Sequence, residues 1–293
     1  IEMGMSDFGE MERLAEIARP TCAVMTNIGI SHIEQLKTQE NIRAEKLHII
    51  DCFGPESVLF LNGDDPLLAD LKGKLSCRTV FYGTQPWCDY RADNIVADDG
   101  STKFSLVSGG EKQELFLPVP GIHNVLNALA AVAVAEHLGV AKEKSSAALA
   151  DYRPPAMRQQ IVKANGITII DDSYNASPDS MRSSIDVLQN LKGNGKSIAV
   201  LADMLELGDF SEQAHFDVGV YAAKAGVNEV VTIGKRAAKI AEGVVSAGYA
   251  SSCRSFLENE EAGDYLKSCL KKGDAVLVKG SRGMHTDEIV KVL

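Results

Sequence analysis

Polar side chains able to bind an anion or an amine stand directly after two apolar, strand-like runs of this sequence. Lys279 and Ser281 follow the run "AVLV". Asp172 and Asn175 follow the run "GITII". A cation beside the backbone N–H groups of a helix start makes an anion site through charge and dipole together. Because a lysine at the end of a buried strand needs a partner, this pattern favours a binding function over a plain strand–turn–helix link.

The first of these stretches, and one other, have both a binding and a structural interpretation. In "DDSYNASPDS", Asp172 and Asn175 suit a ribose or an amine, but Ser177 or Asp179 as a helix N-cap explains the stretch equally well. In "PVPGIHNVLNALAA", Asn124 next to His123 offers the donor and acceptor that an adenine edge requires. A capping asparagine and a surface histidine are the simpler interpretation of that second stretch.

A third group offers ligands for a divalent metal. The stretch "NIGISHIE" carries Asn27, His32 and Glu34, and Lys46 follows on the next predicted helix. With Glu2, these residues supply oxygen and nitrogen donors. Each of them alone is unremarkable, since a single histidine is more often structural than a ligand.

The triplet Gly195-Lys196-Ser197 matches the end of a phosphate-binding loop, but its context is wrong. The first glycine of the pattern falls on Asn190, and a helix precedes the triplet where a strand is required. We therefore predict a helix-to-strand turn, with Gly193 or Gly195 at a positive φ. A nucleotide, if bound, must be held by other residues.

The elements that position these residues alternate between strands and helices, which predicts an α/β fold. Residues 90–119 instead predict antiparallel strands, and the double proline of "DYRPPAMRQQ" predicts a domain boundary. After it, the βα alternation predicts a doubly wound parallel sheet. Ligands of such sheets bind beyond the carboxyl ends of the strands.

Composition excludes several classes of protein. The net charge of -10 argues against nucleic acid as the main partner. Six cysteines without a C-x-x-C pair argue against a zinc ribbon and favour a reducing, cytoplasmic setting. No apolar run of 18 residues occurs, so we expect no membrane span.

The motifs together resemble the Mur ligases, over essentially the whole chain. The resemblance is carried by "IEMGMSDFGE", "TNIGISHIE", "AEKLHI", "NGDDP", "PGIHNVLNALAA", "MRQQ", "DDSYNASPDSM", "LADMLELG" and "VKGSR". Within the family, "DDSYNASP" with "DMLELG" and "KGSR" resembles the branch that adds D-alanyl-D-alanine to UDP-MurNAc-tripeptide.

The resemblance implies two domains and their chemistry. Residues 1–153 would be the later part of a P-loop-type central ATPase domain, and residues 154–293 a C-terminal Rossmann-like domain. The UDP-sugar domain and the true P-loop would lie upstream of Ile1, so the chain alone would be inactive. The family consumes ATP with Mg²⁺, forms an acyl phosphate on the tripeptide, and passes it to the dipeptide amine. We expect a monomer.

The resemblance also implies roles for individual residues. Lys46 matches a lysine that is carbamylated in the family, which would turn an ammonium into an anionic metal ligand. The implied metal ligands are Glu2, His32 and Lys46, and the implied catalytic residues are Lys46, His32 and Lys279. The implied nucleotide contacts are His123, Asn124, Arg158 and Asp172, and the implied substrate contacts are Asn175 and Ser281.

Two alternatives remain beside this hypothesis. One is a related amide ligase with another acceptor, such as a tripeptide synthetase or a folylpolyglutamate synthetase, although "DDSYNASP" departs from their usual pattern. The other is a non-catalytic nucleotide-binding module.

Overall fold

The chain divides into two compact units, Ile1–Arg153 and Pro154–Leu293. The computed structural model describes residues 1–98, 100–248 and 252–293. Within these residues, each unit contains a six-stranded sheet with helices packed on it. The α/β class predicted from the alternating pattern is confirmed. No helix of the described segments combines the length and apolar character needed to cross a bilayer.

The first unit has a mixed sheet in the order β1-β2-β3-β4-β5-β6, parallel from β1 to β4 and antiparallel from β4 to β6. The antiparallel strands predicted in residues 90–119 are confirmed. The elements are α1 (Glu10–Ala18), β1 (Cys22–Met25), α2 (Ile33–Leu36), α3 (Gln39–Leu47), β2 (Val58–Asn62), α4 (Pro66–Ala69), β3 (Arg78–Gly83), β4 (Tyr90–Asp98), β5 (Ser101–Ser108), β6 (Glu111–Leu117), α5 (Ile122–His137) and α6 (Lys142–Ala150).

Strand β2 of this unit is buried along its whole length, which explains its continuous apolar run. Because side chains alternate along a strand, Phe60 of β2 and Tyr82 of β3 pack in the core that holds α5. Leu59 and Phe81, one residue before each, lie in a second core with residues of α1 and α3. The sheet therefore presents the ends of its parallel strands, rather than its faces, to a ligand.

The second unit has the strand order β11-β10-β9-β12-β8-β7. Strands β8 to β12 run parallel, but β7 is antiparallel to β8 across the two-residue turn Asn165-Gly166. The sheet is thus doubly wound with one antiparallel edge strand. Its elements are β7 (Gln160–Ala164), β8 (Ile167–Asp172), α7 (Pro178–Leu191), β9 (Ser197–Ala202), α8 (Ser211–Lys224), β10 (Glu229–Ile233), α9 (Ala238–Ser246), β11 (Ser252–Phe256), α10 (Asn259–Cys269), β12 (Ala275–Lys279) and α11 (Asp287–Val292).

The turn between α7 and β9 is the helix-to-strand link that the sequence predicts. The prediction of a positive φ at Gly193 or Gly195 was wrong, because neither has one. Gly195 is required for a different reason: a Cβ there would lie 2.1 Å from the Gly273 carbonyl oxygen. The glycine therefore permits close backbone packing and has no visible link to phosphate binding.

Candidate functional site

A buried ion pair joins the ends of two neighbouring strands in the second unit. Lys279 ends β12 and Asp172 ends β8, and the parallel register places them side by side. The Lys279 Nζ lies 2.5 Å from Asp172 Oδ2, with side chains 3% and 12% exposed. Burial lowers the pKa of Lys279, and the Asp172 carboxylate opposes that shift. The strand-end lysine therefore has the partner that its burial requires.

The Asp172 carboxylate also gathers contacts from two other segments. Its Oδ2 accepts a hydrogen bond from Ser184 Oγ of α7 at 2.6 Å. Its Oδ1 accepts one from the Gln159 N–H at 3.2 Å. Lys279 Nζ donates a second bond to the Asn175 carbonyl oxygen at 3.0 Å. This network fixes β8, β12, α7 and the loop before α7 to one another.

The loop before α7 combines the two interpretations that the sequence left open. Ser177 is the N-cap of α7, and it forms a reciprocal capping box with Ser180. Asn175 precedes the cap, is exposed, and accepts the Ala176 N–H on its own Oδ1 at 2.8 Å. Capping therefore accounts for Ser177, while Asp172 and Asn175 lie outside the helix at the strand end.

Ser281 holds the segment that follows β9. Its Oγ accepts the Leu205 N–H at 2.9 Å, and its own N–H donates to the Asp203 carbonyl at 3.1 Å. The Asp203 side chain in turn accepts the Ala237 N–H at 2.6 Å. The loops that leave β9, β10 and β12 are thus joined at one edge of the sheet.

His215 of α8 also contacts the segment that follows β9. It is fully buried, its Nε2 accepts the Met204 N–H at 2.9 Å, and its Nδ1 lies 2.6 Å from the Ser211 carbonyl oxygen. The two contacts require a neutral imidazole with the proton on Nδ1. Burial lowers the pKa of His215, against opposing contributions from Ser211 and Asp203. The segment after β9 therefore depends on a neutral histidine.

Arg158 lies at the surface of this unit. Its guanidinium carbon is 4.1 Å from the centre of the Tyr174 ring, and both residues are exposed. Tyr174 belongs to the loop between β8 and α7, so Arg158 is held beside the Asp172 end of that strand. Arg158, Asp172, Asn175, Lys279 and Ser281 are thus gathered at the carboxyl ends of β8, β9 and β12.

In the first unit, Asp65 connects the ends of β1 and β2. Its Oδ1 caps α4 by accepting the N–H groups of Leu67 and Leu68 at 2.9 and 3.0 Å. Its Oδ2 accepts the Ile28 N–H from the loop after β1 at 2.7 Å. Asn62 Nδ2 adds a bond to the Thr26 carbonyl at 2.9 Å. The motif "NGDDP" thus shapes the segment that leads to His32.

The three predicted metal ligands have different surroundings. Lys46 on α3 is partly buried, and burial lowers its pKa while the Asp65 carboxylate opposes the shift. His32 is partly buried with φ 63°, and Glu2 is exposed. Across residues 1–98, 100–248 and 252–293, no three His, Cys, Asp or Glu side chains gather to hold a metal. The donor set suits Mg²⁺ only if Lys46 carries an added carboxylate, and a lowered pKa favours the neutral amine needed to acquire one.

His123 and Asn124 lie in the first turn of α5, both partly buried. The prediction of a capping asparagine was wrong, because the N-cap is Gly121. Asn124 Nδ2 instead donates to the Pro120 carbonyl at 2.7 Å. This bond fixes the orientation of the amide.

Several residues of these networks carry no strong sequence signal. Asp65 could have been found, since Asp before Pro is a typical helix start. Ser184, Gln159 and His215 are single polar residues within apolar or mixed segments, and only the folded chain shows what they contact.

Comparison with known proteins agrees with the division of the chain into two compact units. Residues 1–135 match the family model described as Mur ligase middle domain. Residues 157–282 match the model described as Mur ligase, glutamate ligase domain. The two matches fall one in each compact unit.

Two curated proteins similar to this chain have the same name. The chain is 39% identical over 294 residues to UDP-N-acetylmuramoyl-tripeptide--D-alanyl-D-alanine ligase of Bacillus subtilis, an alignment of 100% of this chain and 63% of that protein. It is 30% identical over 315 residues to the ligase of the same name from Mycobacterium tuberculosis, covering 100% of this chain and 62% of that protein. The chain thus spans about three-fifths of these relatives.

Solved structures show the same likeness. MurF from Acinetobacter baumannii superposes with a TM-score of 0.90 at 29% identity, over 99% of this chain and 63% of that one. MurF ligase from Thermotoga maritima in complex with ADP superposes with a TM-score of 0.84 at 27% identity, over 98% of this chain and 64% of that one.

Proposed function

Because this chain belongs to the Mur ligase family, we propose that it forms the central ATP-binding domain (residues 1–153) and the C-terminal domain (residues 154–293) of a ligase that joins D-alanyl-D-alanine to UDP-MurNAc-tripeptide. The observation that carries the proposal is the similarity to ligases of that name, which extends over the whole of this chain. The strand-end polar network of the second unit supports it, since ligands of such sheets bind there.

The reaction has two steps. The terminal carboxylate of the tripeptide attacks the γ-phosphorus of ATP, which gives an acyl phosphate and ADP. The dipeptide amine then attacks the acyl carbon and loses a proton, and phosphate leaves as the amide bond forms. Both steps concentrate negative charge, so fixed cations and N–H donors have the largest effect on rate.

In the first unit, we assign Glu2, His32 and Lys46 to a Mg²⁺ site. Bound there, the ion would offset charge on the phosphates. Burial lowers the pKa of Lys46, which favours the free amine, and that amine would add CO₂ and lose a proton to give a carbamate oxygen ligand. His123 and Asn124 would contact the adenine, since the amide offers both a donor and an acceptor.

In the second unit, we assign Arg158 and Asp172 to the nucleotide. A carboxylate has about four acceptor sites. Lys279, Ser184 and Gln159 occupy three on Asp172, which leaves one for a ribose hydroxyl. Asn175, Ser281 and Lys279 would act on the dipeptide and the reacting carboxylate. Lys279 would do so through the Asn175 carbonyl that it holds.

The cellular location that we propose follows from these substrates. ATP and a UDP-sugar are cytoplasmic metabolites, so we propose a cytoplasmic enzyme. We also propose that the enzyme is a monomer.

Phosphate release by the full-length ligase, supplied with ATP, UDP-MurNAc-tripeptide and D-alanyl-D-alanine, tests the proposal. We expect release that depends on all three substrates. Release with a single amino acid in place of the dipeptide, and none with the dipeptide, would favour a related amide ligase instead.

Lys46→Ala tests the metal assignment in the same enzyme. We expect ligation to be lost and ADP binding to persist, because the substitution removes only the carbamate ligand. Lys103→Ala, at an exposed lysine of the same unit, is the matched control and should retain activity. Unchanged turnover in Lys46→Ala would contradict the assignment.

A further inference from the structure

The segment that carries Arg158 has an unusual backbone. The residues on either side of it, Met157 and Gln159, have φ values of 64° and 52°, in the left-handed region. That region is sterically unfavourable for residues with a Cβ. Such strain persists only where the surrounding structure holds the backbone in place, and it is frequent at ligand sites.

Both flanking residues are tied to the end of β8. The Gln159 N–H donates to Asp172 Oδ1 at 3.2 Å, and the buried Gln159 side chain donates to Ser184 Oγ at 3.4 Å. The Met157 carbonyl accepts the Tyr174 N–H at 3.1 Å. The Cα of Arg158 is therefore fixed, and only its long side chain retains freedom.

Tyr174 restricts that remaining freedom. Its ring lies 4.1 Å from the Arg158 guanidinium carbon, within the range of a cation–π contact. Tyr174 is 44% exposed and belongs to none of the buried core clusters in the described part of the chain. An exposed aromatic ring that covers one face of an exposed arginine orients the guanidinium without contributing to the core.

We propose that Tyr174 is a positioning residue for ATP binding, which holds the Arg158 guanidinium in the direction where it meets the nucleotide. The inference rests on the proposed nucleotide contact of Arg158. An arginine that is already oriented loses less side-chain freedom when a phosphate binds, so affinity is higher than with a freely rotating side chain.

Calorimetric binding of ADP to the intact ligase tests this inference. Because a cation–π contact at an exposed site is weak, we expect Tyr174→Leu to raise Kd about two- to fivefold. Tyr174→Phe keeps the ring and should restore the wild-type Kd. Tyr221→Leu removes a ring of α8 in the same unit and is the control. The melting temperature shows that each variant is folded.

A double-mutant cycle separates positioning from a direct contact. In an Arg158→Ala background, we expect Tyr174→Leu to have no further effect on Kd, because its action passes through the guanidinium. An equal loss in both backgrounds, or a Tyr174→Phe variant as weak as Tyr174→Leu, would overturn the inference. An Arg158→Ala variant with unchanged Kd would overturn it together with the nucleotide contact. Failure of the dipeptide ligase reaction is a separate result, because ADP binding does not depend on the acceptor.

Discussion

Lys279→Met is expected to destabilise the second unit by about 3 to 5 kcal/mol, the usual cost of removing one partner from a buried ion pair. Methionine has nearly the same length as lysine and leaves little cavity, so the loss is mainly electrostatic. Asp172 would then remain buried, and its charge would still be supported by Ser184 and the Gln159 N–H.

The contacts of Lys279 give a consistent magnitude. The ammonium donates both to Asp172 and to the Asn175 carbonyl, and each such charged hydrogen bond contributes about 1.5 to 3 kcal/mol. Desolvation of the Asp172 carboxylate, left buried without its cation, adds to this sum. Burial of the methionine side chain offsets about 1 kcal/mol. The total agrees with the range for buried pairs.

Hydrogen exchange measured by mass spectrometry on the β8 and β12 peptides, with increasing urea, reports the free energy of opening for this unit. Asp264→Asn is the matched control. It breaks the Lys267–Asp264 pair, whose side chains are 47% and 71% exposed, and should cost less than about 0.5 kcal/mol. Adding Asp172→Asn to Lys279→Met should recover part of the loss. A cost for Lys279→Met no larger than that of Asp264→Asn would refute the reasoning.

Three further predictions concern the same unit. Burial lowers the pKa of His215 in the folded protein, so the unfolded chain binds a proton at a higher pH than the folded chain does. The free energy of unfolding should therefore fall as the pH drops below about 6.5. His215→Gln should flatten this pH dependence when it is measured by urea unfolding. Gly195→Ala should lower the melting temperature because its Cβ would lie 2.1 Å from the Gly273 oxygen, whereas Gly193→Ala, with no atom within 4 Å, should not. Lys196→Ala should leave the Kd for ADP unchanged, and a large increase would restore the phosphate-loop interpretation.

In the second unit, the inner strands were predictable from the sequence and the two edge strands were not. The inner parallel strands β2 and β12 are buried on both faces, so their apolar runs stand out. Strand β11 carries no such signal, because it is an exposed edge strand with mostly polar residues. Strand β7 was also missed, although the dipeptide Asn165-Gly166 is typical of a two-residue hairpin.

The candidate site was predictable in its location and only partly in its contacts. Strand-end polarity places Asp172 and Lys279 at one edge of a parallel sheet. Their pairing depends on β12 lying between β9 and β8, an order that local sequence does not encode. The role of His215 depends on a backbone amide 11 residues away, and no pattern indicates it.

The position of β12 also bears on how the protein is made. Asp172 and Lys279 are separated by 107 residues, yet they end neighbouring strands. At about 5 to 20 residues per second, a ribosome needs roughly 5 to 20 s to add the missing strand after β8 has emerged. Once β9 has also been made, β8 and β9 still lack the strand that lies between them, and such unpaired strand edges are prone to aggregate. The nascent chain is therefore expected to need chaperone protection until the central strand closes the sheet.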